Sequence, residues 1–513
     1  MLRWIFALAA LATLTGLVGL SASSRAVVHY PVMLGDGVPA VVYEPPASDV
    51  RPPVVVLVHG FAGDAAGMST LARRLARAGY GVVTPVLRGH ASNPRPIPRR
   101  ILNGPREGLR EDIDAAMLFA RGSGRFDPDR VALAGHSMGA SAALDYASTD
   151  PSVSAVVAIS GAQPWTGPYR PPNVLLVWAS GDSAATRLQA RRLGEKLSQL
   201  RQIVADRVYG DIDRGTAVKA TEIDGTHHWS VIQSSVTGDR MLDWLERSLG
   251  PGSPASGDAA DGRFLWSAVV GLGLVLTLLG LVESLGGMLP DPTPSTPARP
   301  RVRGLLELSL ALAFATLLAA GTDLGVSAGP LGFVPLAGSR EVLAVLAISG
   351  AALCAAWGPG DGRRLGDGFG ARAGVIAALL FAPLYLLGGA VLAPVTEAWL
   401  TPQRLPWFVL CSALALPFFL AVEQRFRAEP GLRTAAASIT ARLLVVIALA
   451  VGGLSGILSI ATLIVLLRLL VVFIAFEALA LRLVRTAPAP WALALAQSAW
   501  VGWLAAAGSP FEG

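Results

Sequence analysis

Three side chains in this sequence could together cleave a carbonyl compound. The stretch "VALAGHSMGASAAL", residues 131–144, is small and apolar except at Gly135-His136-Ser137-Met138-Gly139. "RVALAGHS" reads as a buried strand and the residues after it as a helix, so Ser137 falls on the turn between them. A turn that tight strains the serine backbone. Glycines two positions either side let strand and helix approach, and the hydroxyl is lifted clear in front of a helix N-terminus that favours negative charge. A glycine-rich turn with no chemical duty has the same composition, so the motif needs partners.

A serine hydroxyl is a poor nucleophile until a base takes its proton. Asp182 follows the apolar strand "NVLLVWAS", and His227-His228 follow "AVKATEI", which gives the chain order serine, acid, histidine that this turn calls for. Asp182 would also suit the N-cap of a helix starting near residue 184. Between His227 and His228 the residues alone do not choose. A third requirement is a pair of N–H donors for the oxyanion that forms at the transition state. The backbone N–H of Met138, next to the serine, is one candidate. The N–H of Phe61, in the loop "HGFAGDAAG" after the strand ending at His59, is the other. His59 itself reads as a structural histidine bonding to that loop.

These residues require a scaffold of buried strands separated by helices. Strands are expected at 54–59, 80–87, 130–137, 154–160, 173–180 and 217–223, with helices at 68–79, 106–122 and 184–200. Continuous apolar strands of this kind belong in a mostly parallel, doubly wound sheet covered on both faces. The fold class is therefore α/β over residues 27–249.

The rest of the chain has another character. Overall composition is 52% hydrophobic and only 15% charged, and most acidic residues precede about residue 260. Residues 1–26 read as an uncleaved signal anchor in preference to a signal peptide. Residues 250–263 are a Gly/Pro/Ser linker. Residues 264–513 hold eight apolar stretches, at 264–288, 304–321, 341–357, 373–393, 407–423, 438–454, 457–481 and 490–507, each near the 20 or so residues a bilayer span needs. The long run over 438–481 is divided at Gly452-Gly453 and Gly456. This half is an all-α transmembrane bundle.

The net charge of +6 does not point to nucleic acid, because the arginines after residue 290 sit in the gaps between apolar runs. Arg299, Arg301 and Arg303 share one gap, and Arg363, Arg364 and Arg372 another. Arg425, Arg427 and Arg433 fall in a third, Arg482 and Arg485 in a fourth. Every second gap is basic, with Arg340 and Arg404 as exceptions. Those gaps are expected in the cytoplasm and the 27–249 domain outside it. Glu283, Glu307, Glu423, Arg468 and Glu477 lie in or near spans. Arg468 is expected to pair with a carbonyl or carboxylate but not with Glu477, nine residues on and across the helix.

The assembled motifs resemble the α/β-hydrolase family over roughly residues 30–250. The resemblance rests on "VVLVHGFAGDAAG", "VLRGHASN", "VALAGHSMGAS", "VWASGD" and "DGTHHWSVI", in the family's order. Val86 stands where members often carry Asp, and Ala91 replaces a glycine. The histidine loop of members with small or absent caps resembles His228-x-Ser230-x-Ile232 followed by "MLDWLERSLG", which selects His228 over His227. The short "GAQPWTGPYRPP" segment leaves no room for a helical cap, so the site should be open, closed at most by Trp165, Tyr169 or the membrane surface. Trp229 either lines the pocket or packs on the sheet edge.

The resemblance implies Ser137 as nucleophile, His228 as base, Asp182 as its orienting acid, and the Phe61 and Met138 amides as oxyanion hole. No cofactor or metal ion is expected. The expected activity is that of a membrane-bound serine hydrolase acting on an ester, thioester or amide. Acyl transfer to an envelope lipid or glycan is the alternative, as is a transporter or scaffold carrying a hydrolase-like binding module. Expected partners are membrane lipids and an acyl-containing small molecule or envelope substrate, with no nucleic acid; the oligomeric state is left open.

Overall fold

The computed structural model describes residues 2–98, 107–252, 261–286, 301–320, 331–357, 370–426, 432–459, 461–483 and 490–512. Residues 253–260 of the expected linker, and the loop positions Arg299, Arg363, Arg364, Arg427 and Arg485, lie outside them. The chain divides into two compact units. One is Gly19–Phe264 with Ala393–Glu397 and Pro510–Gly513; the other is Met1–Val18, Leu265–Leu392 and Ala398–Ser509.

Helix α1 (Leu2–Arg25) leads into the first unit. Its strands and helices alternate as β1 (His29–Met33), β2 (Pro39–Tyr43), β3 (Val54–Val58), α2 (Ser69–Arg77), β4 (Gly81–Pro85), α3 (Glu107–Gly122), β5 (Val131–His136) and α4 (Met138–Ala147). They continue as β6 (Ala155–Ile159), β7 (Val174–Ala179), α5 (Ala184–Ser198), β8 (Val208–Tyr209), β9 (Val218–Ile223) and α6 (Ser235–Leu249). The strands form one sheet in the order β1-β2-β4-β3-β5-β6-β7-β9-β8. From β4 to β9 pairing is parallel, with Val55 opposite Val82 on one side and Ala132 on the other. Antiparallel pairs close both edges, β1 and β2 at one and β8 at the other.

The residues of β3, β4, β5, β6 and β7 are all buried, as strands covered on both faces must be. One face packs under α2 and α6, where Leu71, Leu75, Met241, Trp244 and Leu245 meet Val55, Leu57, Val157 and Val177. Trp244 is fully buried and its indole N–H donates to the Asn173 carbonyl at 2.9 Å. Strand β3 is flanked by β4 and β5, so the β3–β4 connection runs to one side and the β4–β5 connection crosses back past β3 to the other. A crevice opens at the carboxyl ends of the strands at such a switch point. The loops after β3, β5, β7 and β9 all arrive at that edge.

The second unit is built of helices. Among the described residues, eight follow the sheet in sequence: α7 (Arg263–Gly286), α8 (Arg301–Ala320), α9 (Ser339–Ala356), α10 (Ala371–Leu392), α11 (Leu405–Phe426), α12 (Leu432–Leu454), α13 (Ala461–Leu483) and α14 (Pro490–Gly508). Among the described residues, seven helices are long and apolar enough to cross a membrane, namely α1 and α7 to α12. The seventh and eighth expected spans correspond to α13 and α14, which are not among those seven. The division of the long apolar run occurs where the glycines predicted, α12 ending at Leu454 before Gly456 at φ +74°.

Close backbone approach holds the helices together. A Cβ on Gly350 of α9 would lie 2.4 Å from the Phe418 nitrogen of α11, and one on Gly502 of α14 only 2.8 Å from the Phe408 carbonyl of α11. Small residues at crossings are how helices pack where no water drives them together. Outward faces are apolar too, as with Leu306, Leu310, Phe314 and Leu317 on α8 and Leu443, Ile447 and Val451 on α12. Apolar surface on both sides of a helix suits a lipid surrounding and not water.

Candidate active site

Ser137 sits between β5 and α4 with φ 55° and ψ −115°. A non-glycine residue in that region stores roughly 1–3 kcal/mol of strain, which the surroundings must hold. The glycines explain how. A Cβ on Gly135 would lie 2.4 Å from the Gly139 carbonyl, and one on Gly139 would lie 2.4 Å from the His59 carbonyl. Gly161 completes the packing, since its Cβ would come within 2.1 Å of the Ser137 carbonyl. The Ser137 N–H is fixed to the Ile159 carbonyl at 2.8 Å. The hydroxyl is left half-buried at the crevice.

Asp182, His228 and Ser137 form one hydrogen-bonded chain. His228 Nδ1 lies 2.6 Å from Asp182 Oδ1, and His228 Nε2 lies 3.0 Å from Ser137 Oγ. A carboxylate only accepts, so Nδ1 carries the proton and the Nε2 lone pair faces the hydroxyl. In that arrangement an imidazole can take a proton from the serine. Asp182 does not cap α5; Ser183 does, accepting the Thr186 N–H. His227 is exposed and lies against Gly181, where a Cβ would meet its ring at 2.1 Å. The structure thus brings Ser137, Asp182 and His228 together and leaves His227 outside.

Two supporting residues were not anticipated from sequence. Ser160, buried beside the Ser137 turn, donates to Asp182 Oδ2 at 2.6 Å, and the Ala179 N–H donates to the same oxygen at 2.9 Å. Burial by itself would raise the Asp182 pKa, but hydrogen bonds from His228, Ser160 and Ala179 outweigh it and hold the carboxyl below its ordinary value. His136, the buried neighbour of Ser137, donates from Nε2 to the His228 carbonyl at 2.7 Å and so ties the histidine loop to β5. Burial, reinforced by the nearby His228, lowers its pKa to about 3, so it stays neutral. The adjacent Ser160 and Gly161 were legible only as the end of a strand, because their partners are distant in sequence.

Phe61 and Met138 are both buried at the same edge. Among the described residues neither backbone N–H donates a hydrogen bond, which leaves both available to an oxyanion. His59 has the structural place expected of it. Its Nδ1 donates to the Gly60 carbonyl at 2.8 Å, and its Nε2 accepts the Leu87 N–H at 3.0 Å.

The segment after β6 carries no helix over residues 161–172, so nothing there forms a cap. Trp165 lies under the Lys196 ammonium, 4.2 Å from its ring centroid, while Tyr169 is exposed. Trp229 is exposed and stands edge-on to His228 at 5.8 Å, beside the candidate base.

The helical unit holds a separate polar cluster. Arg442 of α12 is 2.6 Å from Glu423 of α11 and 3.1 Å from Glu477 of α13, and it donates to Gln497 of α14 at 2.5 Å. All four are buried. Arg468 donates to the Gly508 carbonyl at 2.6 Å, the carbonyl pairing expected of it.

The sheet order and the strained serine turn at its crevice give this unit the α/β-hydrolase fold. Residues 51–214 match the family model described as serine aminopeptidase, S33, a stretch that holds Phe61, Ser137 and Asp182 and ends before His228. Similar solved structures include the "Putative Dienelactone Hydrolase from Klebsiella pneumoniae subsp. pneumoniae MGH 78578", 19% identical over 43% of this chain and 98% of that one with a TM-score of 0.33. Another is a hypothetical protein from Pseudomonas aeruginosa, 13% identical over 44% of this chain and 94% of that one, with a TM-score of 0.33.

Proposed function

We propose that the chain is a membrane-bound serine hydrolase whose exported domain cleaves an ester, thioester or amide through an acyl-enzyme. The observation that carries this reading is the hydrogen-bonded chain Asp182–His228–Ser137 beside two uncommitted amides. Ser137 Oγ attacks the carbonyl carbon while His228 Nε2 takes its proton, and the carbonyl electron pair moves onto oxygen facing the Phe61 and Met138 N–H groups. The tetrahedral intermediate collapses, the bond to the leaving group breaks, and His228 returns the proton to that group. Water activated by the same imidazole then attacks the acyl carbon and frees Ser137. Asp182 keeps the tautomer that leaves Nε2 able to accept.

Export is supported by the apolar α1 and by arginines in alternate gaps of the helical half. A second reading, in which a lipid or glycan hydroxyl replaces water as acceptor, draws on a helical unit much larger than an anchor requires. Both readings share the acyl-enzyme.

The test is hydrolysis of short p-nitrophenyl esters by the full chain in detergent. Ser137→Ala and His228→Ala should each lower kcat by about 10,000-fold or more, whereas His227→Ala should stay near wild type. Equal activity in wild type and Ser137→Ala would sink the reading. Adding a long-chain alcohol separates the two acceptors, since acyl transfer yields the new ester. Protease added to intact cells should cut the domain, and full protection there would overturn its export.

A further inference from the structure

Two short segments from late in the sequence, Ala393–Glu397 and Pro510–Gly513, belong to the sheet-bearing unit. Both fasten onto the surroundings of Phe61. The loop carrying Phe61 turns sharply, with the Gly63 N–H donating to the Gly60 carbonyl at 3.0 Å and Ala62 at φ 56°. Asp64, 3% exposed, anchors the end of that turn. One of its carboxylate oxygens accepts the Gly67 N–H at 2.9 Å. The other accepts the Thr396 hydroxyl and the Glu397 N–H, each at 2.7 Å. Close by, Ser69 donates to the Pro394 carbonyl at 3.1 Å. On the other side the Phe61 ring stands edge-on to His90, and the neighbouring Gly89 carbonyl accepts the Phe511 N–H at 2.8 Å.

A buried carboxylate is tolerated only where donors match its oxygens. At Asp64 two of the three donors come from residues 396 and 397. Remove them and the carboxylate must turn to water, taking the loop and its amide with it. A displacement of about 1 Å in a positioning group is enough to cost about 100-fold in rate.

We propose that Thr396 and Glu397, acting through Asp64, are positioning residues for the Phe61 amide, so that full turnover depends on a segment 332 residues downstream of the loop it holds. This rests on the serine-hydrolase reading above. The loop by itself supplies one donor, the Gly67 N–H; the downstream segment supplies the rest. Activity would then respond to any change in the chain that shifts residues 393–397, with substrate binding left as it is.

The test uses the full chain in detergent with p-nitrophenyl butyrate as probe, comparing Thr396→Val, Thr396→Ser and Asp64→Asn. Thr396→Val removes one donor at constant shape and should lower kcat about tenfold with KM unchanged. Thr396→Ser keeps the hydroxyl and should restore kcat. Asp64→Asn should lower kcat about 100-fold, near the cost of one oxyanion donor. Inhibition by a trifluoromethyl ketone, whose adduct with Ser137 places an oxyanion at the same amides, should weaken by the factor by which kcat/KM falls. A kcat within twofold of wild type for Thr396→Val would overturn the inference, and so would a loss that serine does not rescue. If Asp64→Asn does not fold, the Thr396 pair decides alone. An active wild type with inactive Ser137→Ala and unaffected Thr396→Val sinks this inference only. A wild type no more active than Ser137→Ala sinks the underlying reading.

Discussion

The two units bury polar side chains to opposite ends. At the sheet edge, Asp182 is satisfied by His228, Ser160 and the Ala179 N–H, and the chain of bonds runs outward to a half-buried hydroxyl. In the helical unit, Arg442 is surrounded by Glu423, Glu477, Ser438 and Gln497, and Gln497 donates back to Glu423 at 2.7 Å. The first network leads to the Ser137 hydroxyl at the crevice; the second joins four helices. The difference follows from the elements. Loops at strand ends project side chains into a crevice, whereas helix interiors face one another. Burial of charge alone therefore does not distinguish the two networks, and the direction in which the hydrogen bonds lead does.

Variants can break this contrast. The largest effect is expected for Asp182→Asn, which keeps the shape but stabilises the wrong histidine tautomer. Its kcat should fall by about 10,000-fold, measured on chromogenic esters, with folding retained. Arg442→Met should do the converse, leaving kcat unchanged while destabilising the fold by about 3–5 kcal/mol through the carboxylates it leaves behind. Thermal unfolding in detergent reads that loss, and a fall in kcat without one would erase the distinction between the networks.

Acid should act through the sheet-bearing unit. His136 has its pKa lowered to about 3, against about 6.5 in an unfolded chain. Between those values the unfolded state binds a proton that the folded state refuses. Stability is therefore complete above about pH 6.5 and declines as pH falls towards 3, by up to about 1.4 kcal/mol per unit. Denaturant unfolding at pH 7 and pH 5 should show the loss, and His136→Gln should flatten it. A comparable effect is expected at Ser160, where alanine removes one of the bonds to Asp182. A neutral-to-charged hydrogen bond of roughly 1.5–3 kcal/mol predicts a loss of about 10- to 100-fold in kcat.

What the sequence made legible follows the range of the interactions. Gly135, Ser137 and Gly139 are a local pattern, and the steric clashes a Cβ would cause there are local too. Asp182 was reachable because it directly follows a strand. His228 was separable from His227 only through the resemblance in the histidine loop; the physical reason, a ring aimed at Asp182 46 residues away, is tertiary. Ser160 carries no local signature, and Asp64 shows only its bond to Gly67, since the partners that matter at both come from distant segments. Strand β1 escaped the strand pattern because a proline argues against a strand, yet Pro31 sits on the exposed face of an edge strand, which tolerates it. In the helical half, run length marked stretches that are helical among the described residues, six of them long and apolar enough to cross a membrane, but Arg442 went unremarked near the start of its run, where nothing in the sequence shows that it turns inward.

The most direct measurement is labelling of the detergent-solubilised full chain with a fluorophosphonate probe, with the modified peptide located by mass spectrometry. The account predicts stoichiometric modification at Ser137, lost in Ser137→Ala and severely slowed in His228→Ala, with His227→Ala labelled at the wild-type rate. A folded wild-type protein that takes up no probe, or takes it up at another serine, would contradict the assignment of Ser137 as an activated nucleophile.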